Sequence, residues 1–355
     1  MRIGIFSKFE MVGGSERRCV EMANALARFT PHEAFLLAED DLPASLEPSI
    51  DSRVRVTKHL LRGAAAAPDV LYELDCLLTV NTDSKVFCRR DYWSGKSERH
   101  ATCVDLSRIP QRVFLFNFVV SPSRHLWELE IAGSPLKIIT ANRKFLEEIG
   151  DQERYRRVQH IPRITLESPI NPEPLTTGKR PSSLVRIGMH STSNGDKWNR
   201  DWPRLIHTVN DCCGAERISW RFMGVPGTMR NELGKFPNVE AVAEHTRPVP
   251  EFLRELDLFV FFTSWKREEP WSRSVAEALM SGCPVVATPR GGNRDQIVSG
   301  NNGLLCKSFE EFADATVALT QNPSMRAALG NNAALRAADY TSENVIHRFV
   351  RFVEQ

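Results

Sequence analysis

Several quick identifiers are missing from this chain of 355 residues. No apolar run is longer than a strand, whereas a bilayer-crossing helix needs about 20 such residues, so no membrane span is expected. Met1 is followed at once by Arg2 and a short strand-like run, so no secretory leader is expected either. The eight cysteines (Cys19, Cys76, Cys88, Cys103, Cys212, Cys213, Cys283, Cys306) contain no Cys-x-x-Cys pair. That spacing would have pointed to a zinc or redox site; the apolar surroundings of several point instead to buried free thiols in a reducing cytosol. Neither sign of charge is in excess, with 46 basic and 44 acidic residues and a net charge of +2, so nothing favours nucleic acid as a partner. Asp-x-Asp occurs nowhere, and the first loop has no Gly-x-Gly-x-x-Gly, which argues against a nicotinamide dehydrogenase. The expected location is cytoplasmic, with peripheral contact at the inner face of a membrane left open.

What is present is enough apolar content, 42%, for two cores of ordinary domain size. Strand-like runs alternate with helical ones, the rhythm of parallel sheets covered on both faces. Strands are expected near Arg2–Ser7, Glu33–Ala38, Val54–Thr57, Leu77–Asn81, Val113–Val119, Lys137–Ala141 and Val158–Pro162. A helix from about Ser15 to Phe29 has Cys19, Met22, Ala23, Leu26 and Ala27 at helical spacing. The polar segment Arg89 to Pro110 reads as a loop. Residues 166–183 are rich in proline, which holds a chain extended and out of helix, so they are the expected linker between a first domain, 1–165, and a second beginning at Leu184. The second half offers strands at Leu184–Gly188, Ile218–Met223, Val239–Val242, Leu256–Thr263, Cys283–Thr288 and Gly303–Cys306. Its helices are expected at Asp201–Cys212, Phe309–Leu319, Ser324–Ala338 and Ser342–Val353.

The densest chemistry lies in Glu269-Pro270-Trp271-Ser272-Arg273-Ser274-Val275-Ala276-Glu277, which follows the apolar run Leu256 to Ser264. Glu269 then falls on a strand-to-helix loop and Glu277 about a turn inside the helix. Loops at the carboxyl ends of parallel strands are where open α/β sheets bind ligands. Free amides at a helix start favour phosphate, and carboxylates on either side accept from sugar hydroxyls. The arrangement suits a nucleotide sugar. After it come Ala278-Leu279-Met280-Ser281-Gly282, the strand Cys283–Thr288, a Gly291-Gly292 turn and Asn301-Asn302-Gly303-Leu304-Leu305.

The block from Glu269 to Leu305 resembles the carboxyl-terminal signature of glycosyltransferase family 4, within the glycosyl transferases group 1. Arg2-Ile3-Gly4-Ile5-Phe6 with Gly13-Gly14-Ser15-Glu16-Arg17 is similar to that family's first strand, glycine-rich loop and first helix. The resemblance implies an α/β fold of GT-B type: two Rossmann-like parallel-sheet domains facing a central cleft. The second domain, 184–338, would bind the nucleotide sugar, and a last helix in 339–355 would cross back onto the first. It also implies a retaining glycosyltransferase without cofactor, and with no Asp-x-Asp to bridge a divalent metal to the diphosphate the reaction is expected to be metal-independent. The donor would be a nucleoside-diphosphate sugar, and the acceptor a hydroxyl of a glycan, lipid-linked or small molecule in polysaccharide biosynthesis.

Carried over residue by residue, the resemblance makes Glu269 the partner of the transferred sugar's hydroxyls and Glu277 that of the ribose. Lys197 would hold the diphosphate, with the amides from Ser272 through Val275, hence Trp271, Ser272, Arg273 and Ser274. Gly13, Gly14 and Gly188 would let backbone approach the ligand, and Arg290 precedes the Gly291-Gly292 turn. The chain departs from the family in three places. Met189 stands where an arginine usually follows Gly188, so Arg186, Arg273 or Arg290 would have to substitute. Asn117 stands where many relatives have a histidine facing the donor sugar; it can hydrogen-bond but not carry a proton as imidazole does, and His190 and His100 are the alternatives. Trp271-Ser272 replaces an aromatic-glycine pair. Arg154, Arg156 and Arg157 form a basic cluster that could meet an anionic lipid. A nucleotide-sugar epimerase of the same architecture and a noncatalytic nucleotide-sugar-binding protein remain the other readings.

Overall fold

The computed structural model describes residues 1–7, 9, 14–39, 41–60, 69–80, 108–116, 135–175 and 182–355, and the side chains of all of these but Phe116 and Arg154. Gly13, His100, Asn117 and most of the segment 89–110 lie outside the described residues. By contacts the chain divides into two compact units, Met1–Pro169 with Ser342–Gln355, and Ile170–Thr341. The expected linker is therefore shared: Leu166 is buried in the first unit and Ile170 begins the second.

The first unit is built on seven strands: β1 (Arg2–Ser7), β2 (Glu33–Ala38), β3 (Arg55–Thr57), β4 (Cys76–Val80), β5 (Gln111–Phe116), β6 (Leu136–Thr140) and β7 (Arg163–Thr165). They lie in the order β3-β2-β1-β4-β5-β6-β7 and every pairing is parallel. Among the described residues its helices, besides the last helix of the chain, are α1 (Gly14–Phe29), α2 (Asp69–Tyr72) and α3 (Arg143–Asp151). One expected strand is corrected. Val158–Pro162 is a succession of turns, with Val158 N–H donating to Tyr155 O and Ile161 N–H to Val158 O. Tyr155, Val158 and Ile161 recur every three residues and all enter the cluster around Phe145 and Ile149, a turn-like spacing that a strand cannot satisfy.

The last helix of the chain, Ser342–Glu354, closes this unit's core. Its Val345, Ile346, Phe349, Phe352 and Val353 pack in one cluster with Cys19, Met22 and Leu26 of α1 and with Ile3, Ile5 and Leu36 of the sheet. Lys137 reaches from β6 to donate to Phe352 O at 2.6 Å and Val353 O at 2.9 Å, satisfying carbonyls that a helix end leaves open. Buried Arg18 donates to Leu166 O at 2.6 Å and so fastens the chain where it leaves β7. Of the basic cluster, Arg156 and Arg157 are exposed, and Arg156 lies 3.3 Å from Glu153.

The second unit carries β8 (Val185–His190), β9 (Ile218–Met223), β10 (Val239–Val242), β11 (Leu258–Phe261), β12 (Val285–Ala287) and β13 (Gly303–Leu305), in the order β10-β9-β8-β11-β12-β13, all parallel. Its helices are α4 (Trp202–Cys213), α5 (Gly227–Leu233), α6 (Val249–Arg254), α7 (Arg273–Met280), α8 (Asn293–Gln296), α9 (Phe309–Gln321) and α10 (Pro323–Ala337); the terminal helix is α11. An aromatic core fixes the loop after β8. Trp202 meets Phe222 at 4.7 Å and Phe262 at 5.4 Å between ring centroids, and fully buried Trp198 contacts both Trp202 and Phe222. Burying such rings contributes several kcal/mol each by area, on the order of 2–3 apiece. Both sheets, with their helices, form the two Rossmann-like domains of the GT-B fold class.

Candidate functional site

In the second unit the strand order changes direction at β8, whose neighbours are β9 and β11. The loops leaving the carboxyl ends of β8 and β11 therefore emerge side by side, at the position where open α/β sheets take ligands. Three hydrogen bonds stitch these loops together. Asn199 N–H donates to Phe262 O at 3.2 Å, Asn199 Nδ2 to Thr263 O at 2.9 Å, and Ser264 N–H to Asp196 O at 3.4 Å. The stitching brings Lys197, at the end of a short turn capped by Asn194, onto the loop that carries Glu269.

Two cations share one carboxylate oxygen there. Lys197 Nζ lies 3.4 Å from Glu269 Oε1, and Arg267 places both Nε and Nη2 at 3.0 Å from that same atom. Two positive groups thus converge on one carboxylate oxygen, although the run Lys266-Arg267-Glu268-Glu269 is neutral as a whole. The Glu269 backbone is itself held, because Gly292 N–H donates to Glu269 O at 2.9 Å. Gly291, at φ +50°, passes so close that a Cβ would lie 2.1 Å from Glu269 O. The glycine pair of the sequence block thus exists to let two loops touch.

Beyond Pro270 the chain enters α7. Trp271 is buried edge-on against Tyr340, with centroids 5.6 Å apart and planes at 89°. Ser272 is the N-cap, its Oγ accepting from Val275 N–H at 3.4 Å. Fully buried Gln296 clamps the Ser272 backbone from both sides, accepting from its N–H at 3.2 Å and donating Nε2–H to its carbonyl at 2.8 Å. Gln296 is in turn anchored by Asn302 Nδ2, 2.9 Å from Gln296 O. The Asn301-Asn302 part of the sequence block therefore acts on the helix start through a relay. Two of the four amides expected to face a ligand, those of Ser272 and Val275, are engaged within the protein.

One turn in, Glu277 is 7% exposed and each of its oxygens faces a nitrogen-bearing side chain. Arg273 Nε donates to Oε1 at 2.7 Å, and His190 Nε2 lies 3.3 Å from Oε2. Arg267, Gln296 and the His190–Glu277 contact had no place in the sequence reading of the donor site; the charged run Lys266-Arg267-Glu268-Glu269 was the signal available for the first.

Other expected residues sit elsewhere. Gly188 is inside β8, in register with Arg221 and Phe259, and a Cβ on it would meet Arg221 O at 2.0 Å; it serves strand packing rather than a ligand. Met189 is fully buried one residue further on, so an arginine there would point into the core. Arg186 is at the opposite end of the strand, its Nε 3.3 Å from Asp257 Oδ2, and cannot substitute. Arg290 is largely exposed and turns to Glu268, with 3.9 Å between Nη1 and Oε1. In the first unit, nothing lies within 4 Å of where a Gly14 Cβ would be, at the start of α1. Among the described residues no group of three or more His, Cys, Asp or Glu side chains is placed to hold a metal ion, and no helix is long and apolar enough to cross a membrane.

Comparison with known proteins agrees with this geometry. Residues 232–336, which run from α5 to α10 and include Glu269, Arg273 and Glu277, match the sequence model of the family described as Glycosyl transferases group 1. The matched residues all lie in the second unit. Spore coat protein SA of Bacillus subtilis is 31% identical over 87 residues, which is 24% of this chain and 22% of that protein, so the match spans about a fifth of the relative's length. Over the whole chain the fold is similar to that of Anabaena HepE, solved in complex with UDP, at a TM-score of 0.72 and 15% identity with 100% of both chains covered. A glycosyltransferase from Rickettsia africae is similar at a TM-score of 0.71 and 12% identity, covering 99% of this chain and 97% of that one.

Proposed function

We propose that the protein is a retaining glycosyltransferase of family 4 that moves a sugar from a nucleoside-diphosphate sugar to a hydroxyl of a glycan, lipid-linked or small-molecule acceptor. The observation that carries this reading is the convergence of Lys197 and Arg267 on Glu269 beside the amino end of α7. The solved complexes of Anabaena HepE with UDP and with UDP-glucose support the same class of donor.

The diphosphate would sit against Lys197, Arg267 and the Ser274 amide, where fixed donors stabilise the charge that grows on it as the glycosidic bond breaks. Taking up the two cations would release Glu269 Oε1 to accept from hydroxyls of the transferred sugar. Glu277, held in place by Arg273, would accept from the ribose. Asn117 is assigned to the donor sugar's side by resemblance. Retention of configuration follows from the same resemblance, with the acceptor approaching the face that the diphosphate leaves. Neither glutamate serves as a hydrolase-type nucleophile. Balancing the leaving charge with lysine and arginine needs no divalent ion, so the enzyme is proposed to be metal-independent and cytoplasmic, with Arg156 and Arg157 available for peripheral contact with an anionic membrane. The noncatalytic reading drew on the missing arginine after Gly188; Arg267 offers a guanidinium on the adjacent loop, which favours the transferase.

The test is calorimetric titration of UDP and GDP into the wild type, Lys197→Ala, Arg267→Ala and Glu277→Ala. Hydrogen bonds to charged groups are worth about 1.5–3 kcal/mol, so each variant should bind the preferred nucleotide roughly 10- to 100-fold more weakly. Turnover of the matching nucleotide sugars should persist in excess EDTA. Unchanged affinity in all three variants would remove the assignment, and activity lost to EDTA and restored by manganese would remove the metal-free mechanism.

A further inference from the structure

His190 is the last residue of β8 and Glu277 lies in the second turn of α7, so neither sequence distance nor periodicity joins them. Their side chains nonetheless meet at 3.3 Å, both about nine-tenths buried. The imidazole is walled by Phe252 of α6 and Phe259 of β11, both edge-on to it, with centroids at 6.0 and 5.6 Å. Three elements therefore fix the ring, and the atom nearest Glu277 is Nε2, which at 3.3 Å from Oε2 is not aligned for a hydrogen bond to it. Arg273 already occupies Oε1 of the same carboxylate.

We propose that His190 is a positioning residue for the donor nucleotide: in the tautomer with its proton on Nε2, a small rotation of the carboxylate lets it donate to Glu277 Oε2 and hold the carboxylate plane toward the ribose. This rests on the donor-site reading above. A carboxylate offers about four acceptor sites, two on each oxygen. With Arg273 on one oxygen and His190 on the other, each keeps one site, the number that a vicinal diol needs. Tethered by Arg273 alone, the carboxylate could turn about its own axis and present a single oxygen, and the ribose would have to order it on binding. The role differs from that of a histidine facing the transferred sugar, since His190 acts through Glu277 and touches no reacting atom.

His190→Phe keeps the ring and its two aromatic neighbours but removes the donor. The probes are whichever of UDP, GDP and ADP the wild type binds most tightly, and the 2′,3′-dideoxy form of that nucleotide. His190→Phe should weaken binding of the hydroxylated nucleotide about tenfold, the worth of one charge-assisted hydrogen bond, while leaving the dideoxy nucleotide within about twofold of the wild type. His190→Gln, which restores an N–H donor, should recover most of the loss. In turnover the effect should fall on the donor KM with kcat little changed. His190→Met provides the same comparison should His190→Phe not fold, as judged by its melting transition. Equal loss for both nucleotides, or no loss in a folded variant, overturns the positioning role. A wild type that binds none of the three nucleotides overturns the donor reading itself, and this inference with it.

Discussion

Replacing Gly291 by alanine should cost far more activity than stability. At φ +50° the residue already sits where L side chains are strained, and alanine pays about 1–2 kcal/mol for that conformation. The larger effect is contact. The new Cβ would lie 2.1 Å from Glu269 O and 3.0 Å from its carbonyl carbon, and both are backbone atoms that cannot rotate away. Reaching ordinary van der Waals separation requires the Glu269 loop to retreat by roughly 1 Å, a misplacement that can cost on the order of 10²-fold in rate when it falls on a catalytic constellation. The Gly292 N–H to Glu269 O hydrogen bond, now 2.9 Å, would be broken, adding about 1 kcal/mol. The expected outcome is a melting temperature lower by about 5–10 °C, given about 2–4 °C per kcal/mol in a unit of this size, with sugar transfer reduced roughly 100-fold. Gly300→Ala is the matched control. Its φ is +82°, yet nothing lies within 4 Å of the added Cβ, so it should pay the backbone strain alone and keep wild-type turnover. Scanning calorimetry and initial rates on the two variants decide the matter: if Gly291→Ala turns over as fast as Gly300→Ala, the claim that the glycine pair sets the position of Glu269 is refuted.

Two further outcomes concern titratable groups away from the site. Burial pushes the thiols of Cys19, Cys76 and Cys306 up to about 12, so at pH 8 they stay protonated and unreactive, whereas Cys212 is exposed. Iodoacetamide followed by peptide mapping should label Cys212 well before those three, and equal rates would contradict their burial. Asp51 accepts from Arg53 and Arg28, which hold its carboxyl well below the usual range. A depressed value means that its contribution is complete above the ordinary carboxylate pKa of about 4 and fades as pH falls toward the folded value. Melting temperatures of the wild type and Asp51→Asn should therefore converge as pH drops from about 5 to about 2, and parallel curves would show the contacts to be inert.

Much of the fold could be read from hydrophobic runs. Arg2–Ser7, Glu33–Ala38, Ile218–Met223 and Val239–Val242 have the expected bounds because apolar residues there are flanked abruptly by turn or charged residues. The reading slipped where a strand contains buried polar residues. β5 begins at Gln111 rather than Val113, since Arg112 is buried at a sheet position and its N–H donates to Pro135 O. At Val158–Pro162 the apolar residues instead serve turns packed on α3, where a recurrence every three residues resembles a strand's short apolar run.

The site divides along a different line. Glu269 and Glu277 stand in one contiguous block and Lys197 comes from the resemblance alone, but which charge meets which is decided by backbone turns that no periodicity encodes. Arg267 stands in a run of four charged residues that reads as a solvated face. Only the turn in which Arg267 N–H donates to Ser264 O at 2.9 Å sends its guanidinium back to Glu269. β8 runs two residues beyond Gly188, to His190, so Met189 and His190 are strand positions rather than loop ones. Once the strand is extended, alternation sends Met189 to the core and His190 to the Glu277 side, so no cation could be expected at 189. In the proposed donor site the second cation is Arg267 on the loop after β11, within reach of Lys197 because Asn199 joins the two loops. A double substitution of Lys197 and Arg267 should therefore cost less than the sum of the single ones, as both act on one oxygen of one carboxylate and on one ligand.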